Sequence, residues 1–107
     1  MSGNYVARLS QDFEFADGVV RTVRPMTIKN LKKFVKLYGD TDLKELANST
    51  LDESQMDIML DAASLIMEAT DKDLANDRER LEIAVDTDVF QKIMQVGMGS
   101  RFTDPNE

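Results

Sequence analysis

Residues 51–70, LDESQMDIMLDAASLIMEAT, constrain this chain more than any other stretch. Between Met56 and Ala69 only Asp57, Asp61, Ser64 and Glu68 are polar, at steps of four, three and four. A helical side chain returns to the same face about every 3.6 residues, so these four fall on one narrow line. The remaining positions, from Met56 through Leu60 and Ile66 to Ala69, are apolar. The pattern predicts a helix over residues 51–70, covered on most of its circumference by its own chain or by another.

The rest of the chain must supply that cover. With 107 residues, one domain with a small core is the expectation. A composition 42% hydrophobic and 31% charged suits a soluble surface. No apolar run approaches the ~20 residues a membrane-spanning helix needs. The segment MSGNYVARLSQDFEF lacks a charged-then-apolar leader, so a cytoplasmic protein is expected. Cysteine and histidine are both absent, which removes disulfides, thiolate ligands, cysteine nucleophiles and histidine-based triads. The net charge of −7 is unevenly spread. Residues 1–39 hold seven Lys/Arg against three acids, a balance of +4, which leaves −11 for residues 40–107. Opposite halves of this kind can attract each other within or between molecules, or simply be solvated faces.

Taken in order, residues 1–10 read as a loose arm or edge strand, residues 11–99 as a single α+β domain, and residues 100–107 as a flexible tail. Phe13 and Phe15 alternate with Asp12 and Glu14, Asp17-Gly18 suits a two-residue turn, and residues 19–24 return as a β-branched strand. Pro25 cannot donate a ladder hydrogen bond, so that strand ends near it or lies on an edge. Thr27 then caps a helix with Ile28, Leu31, Phe34, Val35 and Tyr38 on its apolar side. Lys29, Lys32, Lys33 and Lys36 lie opposite, and Gly39 supplies the stop. Residues 40–50 form a connector, with a helical turn near residues 43–47. Ser49 or Thr50 caps the long helix, with Asp52 or Glu53 completing a reciprocal box. Leu81, Ile83 and Val85 alternate with Glu82 and Ala84, which predicts a short extended piece. Asp86 or Thr87 opens a last helix with Phe90, Ile93, Met94 and Met98 on its apolar side, ended by Gly97 and Gly99. The fold class is therefore α+β and mainly α, an N-terminal hairpin followed by three principal helices.

No residue constellation here points to catalysis, and an enzyme is not expected. There is no phosphate loop, dinucleotide fingerprint or zinc spacing, and no cofactor is implied. Residues 71–82, DKDLANDRERLE, place acids at calcium-loop positions but have Ala75 where an oxygen ligand belongs and Asn76 where glycine belongs. A solvated linker or helix start is the better reading. A lysine row in a chain of net −7 does not make a nucleic-acid footprint. Methionine is the positive anomaly: of seven, Met56, Met59, Met67, Met94 and Met98 fall in the last two strong helical patterns. Thioether side chains fill gaps in a small core, and they equally suit a surface that adapts to a partner.

The layout resembles the tail assembly chaperones of long-tailed, siphophage-like bacteriophages. The resemblance spans residues 11–99 and rests on VRTVRPMTIKNLKKFVKLYGD, MDIMLDAASLIMEA and LEIAVDTDVFQKIMQVG. In that family a strand ending in R-P-x-T introduces the first helix, matched by Arg24-Pro25-Met26-Thr27. A D-x-D-x-hydrophobic phrase opens a later one, matched by Asp86-Thr87-Asp88-Val89-Phe90. The resemblance implies a virion-assembly factor of the bacterial host cytoplasm that binds the tape-measure protein, keeps it soluble and helps tail-tube protein assemble around it. Many such genes also yield a longer, frameshifted form. The expected contact residues are Met56, Met59, Met67, Phe90, Ile93, Met94 and Met98, with Lys29, Lys33 and Lys36 adding charge steering. The alternatives are a structural virion or oligomeric scaffold protein, self-associating through the same helices, and a small acidic protein-binding regulator.

Overall fold

In the computed structural model, residues 10–39 and 52–99 are described. The expected N-terminal arm, the connector with its helical turn, the Ser49 and Thr50 caps and the C-terminal tail lie outside the described residues.

Alternation of phenylalanine with acid builds β1 (Gln11–Glu14), in which Asp12 and Glu14 face solvent and Phe13 turns inward. β1 pairs antiparallel with β2 (Val20–Val23), Gln11 opposite Val23 and Glu14 opposite Val20. The connection is a three-residue loop, residues 16–18, rather than the expected two-residue turn. The Phe15 N–H donates to the Val19 carbonyl and the Gly18 N–H to the Phe15 carbonyl, each at 2.9 Å, with Gly18 at φ +82°. This is a type I turn closed by a glycine bulge, which lets Asp17 accept from the Val19 N–H at 3.1 Å.

Thr27 caps α1 (Ile28–Tyr38) as expected, its hydroxyl oxygen accepting from the Asn30 N–H at 3.3 Å. Gly39 is right-handed at φ −58°, so the left-handed stop expected there is not used. The long helix, α2 (Glu53–Met67), starts two residues later than expected. Asp52 is itself the cap, accepting from the Gln55 N–H at 2.9 Å, while the Gln55 side chain accepts from the Asp52 N–H at 3.0 Å. α2 ends at Met67, whose carbonyl accepts from Thr70 and Asp71.

Two short helices follow, α3 (Lys72–Ala75) and α4 (Arg78–Ala84), capped by Asp71 and Asp77. Of the extended piece expected at residues 81–85, residues 81–84 are thus helical and only Val85 is extended. Leu81 and Ala84 are buried and Ile83 is exposed, so the apolar positions obey an i, i+3 spacing that three alternating residues imitate. Of the solvated linker or helix start expected at residues 71–82, the helix start is what forms: α3 and the first turns of α4 lie here, with Leu74, Ala75 and Leu81 in the core. α5 (Thr87–Gly97) opens on the Asp86 cap, which accepts from the Val89 N–H at 2.8 Å.

The molecule is a mainly helical α+β structure, with a two-stranded hairpin followed by helices. Ala62, Ala63, Ile66 and Met67 of α2 meet Phe90, Ile93 and Val96 of α5, and Leu74 and Leu81 join the same cluster. Phe15 and Val23 bring the hairpin into it. Three hydrogen bonds of 2.9 Å tie the hairpin to the helices: Ala16 N–H to the Ala84 carbonyl, Met26 N–H to the Gly97 carbonyl, and Arg24 N–H to the Thr70 hydroxyl. The polar line on α2 also serves packing. Ser64 donates to the Ala75 carbonyl at 2.6 Å, and Arg78 reaches Asp61 at 2.7 Å and Asp57 at 3.5 Å. That line therefore anchors α3 and α4.

Candidate functional site

Backbone conformation opens a groove beside α2. From the end of α4 the chain passes to α5 through Val85 and Asp86, both extended, at φ/ψ −112°/117° and −107°/−176°. Between this junction and the first half of α2 lies a cavity of about 450 Å3. Met56, Met59, Leu60 and Val85 give it an apolar lining, and Glu53, Asp57, Glu82 and Asp86 supply carboxylates around it. Asp86 is held by its capping bond and Asp57 by Arg78, so two of the four acids are positioned by the fold. Hydrogen bonding to Asp61 is the main cause that raises the Arg78 guanidinium above its ordinary pKa. The groove thus offers an apolar floor with an excess of negative charge at its edge.

A second apolar surface lies on α1. Ile28, Leu31 and Val35 line a shallow depression with Lys32 and Lys36. Ile28 is 69% exposed and Val35 54%, and Leu37 is also exposed. The expected inward stripe included Ile28 and Val35. Phe34 of that stripe is buried and Leu31 and Tyr38 are half-buried, but Ile28 and Val35 face outward and Asn30 is turned into the core in their place. Asn30 is accommodated because its side-chain amide donates to the Leu65 carbonyl at 3.3 Å.

The expected contact residues divide sharply. Met59, Met67, Phe90 and Ile93 are core residues, Met67, Phe90 and Ile93 being fully enclosed. For Met67, Phe90 and Ile93 the place among the contact residues is corrected, because they are enclosed where α2 and α5 pack together, whereas Met59 keeps an edge in the groove. Met94 is half-buried against the same core. Met56 and Met98 are exposed, but the structure does not bring them together. The Gly97 end of α5 lies against Ile66, ten residues along α2 from Met56, a distance of about 15 Å at 1.5 Å per residue. Lys29, Lys33 and Lys36 are exposed on α1 and, with Lys32, make no ion pair among the described residues. Sequence reasoning missed Leu60, Val85, Glu53 and Glu82 as groove residues. The available signal was the apolar Val85 beside an Asp cap, opposite the open start of an over-apolar helix.

Among the described residues no group of three or more acidic side chains converges as a metal site would require, and no helix is long and apolar enough to cross a membrane. Every buried side-chain polar atom among them has a hydrogen-bond partner. In comparisons with known proteins, no family model, curated protein or solved structure matches this chain.

Proposed function

We propose that this chain is a tail assembly chaperone of a long-tailed bacteriophage, a non-catalytic protein that binds the tape-measure protein in the host cytoplasm. The observation that carries the reading is the groove beside α2, whose floor combines Met56 and an edge of Met59 with Leu60 and Val85. A helical client with an apolar stripe buries that stripe in such a groove, and methionine lets the floor adjust to different side chains. Further support comes from the two quoted phrases. Thr27 of Arg24-Pro25-Met26-Thr27 caps α1, and Asp86 of Asp86-Thr87-Asp88-Val89-Phe90 caps α5, the helix-opening roles the resemblance implies. Exposed Met98 and the lysines of α1 offer separate apolar and charged contacts to a long client.

Co-expression with a tape-measure fragment tests this. The fragment is expected to become soluble and to co-purify with the chain, and Met56→Asp is expected to abolish the complex. A fragment that stays equally insoluble, with no complex recovered, overturns the reading.

A further inference from the structure

The two exposed apolar surfaces have opposite charge. On α1, Ile28 and Val35 stand two turns apart with Leu31 between them, and Lys32 and Lys36 line the same strip, with Lys29 and Lys33 exposed further round the helix. The groove formed by α2, α4 and α5 sets Met56, Leu60 and Val85 among Glu53, Asp57, Glu82 and Asp86. One surface is a basic, amphipathic helix about 16 Å long at 1.5 Å per residue. The other is a concave apolar floor edged by acids. Helix-in-groove recognition uses this pairing, with apolar anchors at i, i+3 and i+7 for affinity and flanking charge for orientation. The four lysines have no ion-pair partner among the described residues, and neither have Glu53 and Glu82. The basic front and acidic back of the sequence thus converge on two particular surfaces.

We infer that α1 of one copy docks in the α2–α4–α5 groove of a second copy. The two surfaces differ and the contact is head-to-tail, so a pair of copies keeps one free α1 and one free groove for further addition. The inference concerns the chain alone and does not rest on the identity of any client.

Sedimentation velocity on the full chain, over a micromolar concentration range at low and high salt, provides the test. Concentration-dependent association is expected, weakening by roughly tenfold from low to high salt because exposed charges are screened. Val35→Asp on α1 and Met56→Asp in the groove each replace an exposed side chain and are each expected to leave a monomer. Mixing the two variants restores one contact, the intact α1 of the Met56→Asp variant in the intact groove of the Val35→Asp variant. A 1:1 pair that grows no further is therefore expected. Far-UV circular dichroism checks that both variants keep the parent fold. Lys32→Glu and Glu82→Lys, both at exposed positions, replace either one that does not. The inference is overturned if the parent stays monomeric throughout, if either variant associates like the parent, or if the mixture remains monomeric.

Discussion

At Gly97 a single missing side chain sets how closely two helices approach. A Cβ there would lie 2.8 Å from Cγ2 of Ile66, a β-branched side chain with little freedom to turn away. Gly97→Ala is therefore expected to destabilise the protein by about 1–3 kcal/mol from overpacking, despite its better helix propensity. Ile66→Leu moves the branch one carbon outward, so the double variant should lose less than the two single variants together, measured by urea unfolding. Arg21 is a second residue whose role is local and specific. Its guanidinium holds Asp17 through two 3.0 Å hydrogen bonds, lies 3.5 Å from Asp71 and stacks 4.8 Å over the Phe15 ring. Hydrogen bonding from Arg21 lowers the Asp17 carboxyl below its ordinary value of 3.8. A carboxyl with a lowered folded-state pKa stabilises fully above its unfolded value, and that contribution is lost as pH falls through the folded value. Asp17→Asn should cost about 1–2 kcal/mol at neutral pH, reduced by the partial exposure of the pair. Its deficit against the parent should shrink as the pH of the unfolding titration is lowered below 3.8.

At the scale of elements, helix starts are the best-specified feature. Thr27, Asp52, Asp71, Asp77 and Asp86 each accept a hydrogen bond from the N–H three residues on. Two of these, Thr27 and Asp86, are readable directly from sequence because each precedes a clear apolar period. Asp52 is harder to read, since Ser49, Thr50 and Asp52 all offer capping chemistry and only the Gln55 partner distinguishes the last. The α4 helix was illegible for another reason. Leu81, Ile83 and Val85 satisfy a two-residue period, while Leu81, Ala84 and Val85 satisfy a helical one, and Ala84 carries no apolar bulk to declare itself. Substitution separates the two patterns. Leu81→Ala should cost about 2–5 kcal/mol, whereas Ile83→Ala should stay within about 0.5 kcal/mol, because Leu81 is enclosed and Ile83 is 67% exposed. A strand would set both on one face, and comparable losses in chemical denaturation would contradict the helix. The groove was hidden in sequence because its residues come from three separate elements, and no local period records which of them meet.

Across the whole molecule, burial decides which methionines can serve a partner. Met59→Asp places a carboxylate in the core and should unfold the protein, whereas Met56→Asp should leave its melting temperature close to the parent's. A circular dichroism melt distinguishes them without any knowledge of a partner. The bond from the Met26 N–H to the Gly97 carbonyl has a different consequence, in time rather than in space. It joins two distant parts of the chain, so the entropy cost of closing a long loop must be met before it forms, while each aspartate cap forms among near neighbours in sequence. Folding should therefore pass through a transition state in which the α3–α5 caps are already made and the Met26–Gly97 closure is not. In stopped-flow experiments Asp86→Ala is then expected chiefly to slow folding, and Gly97→Ala chiefly to accelerate unfolding.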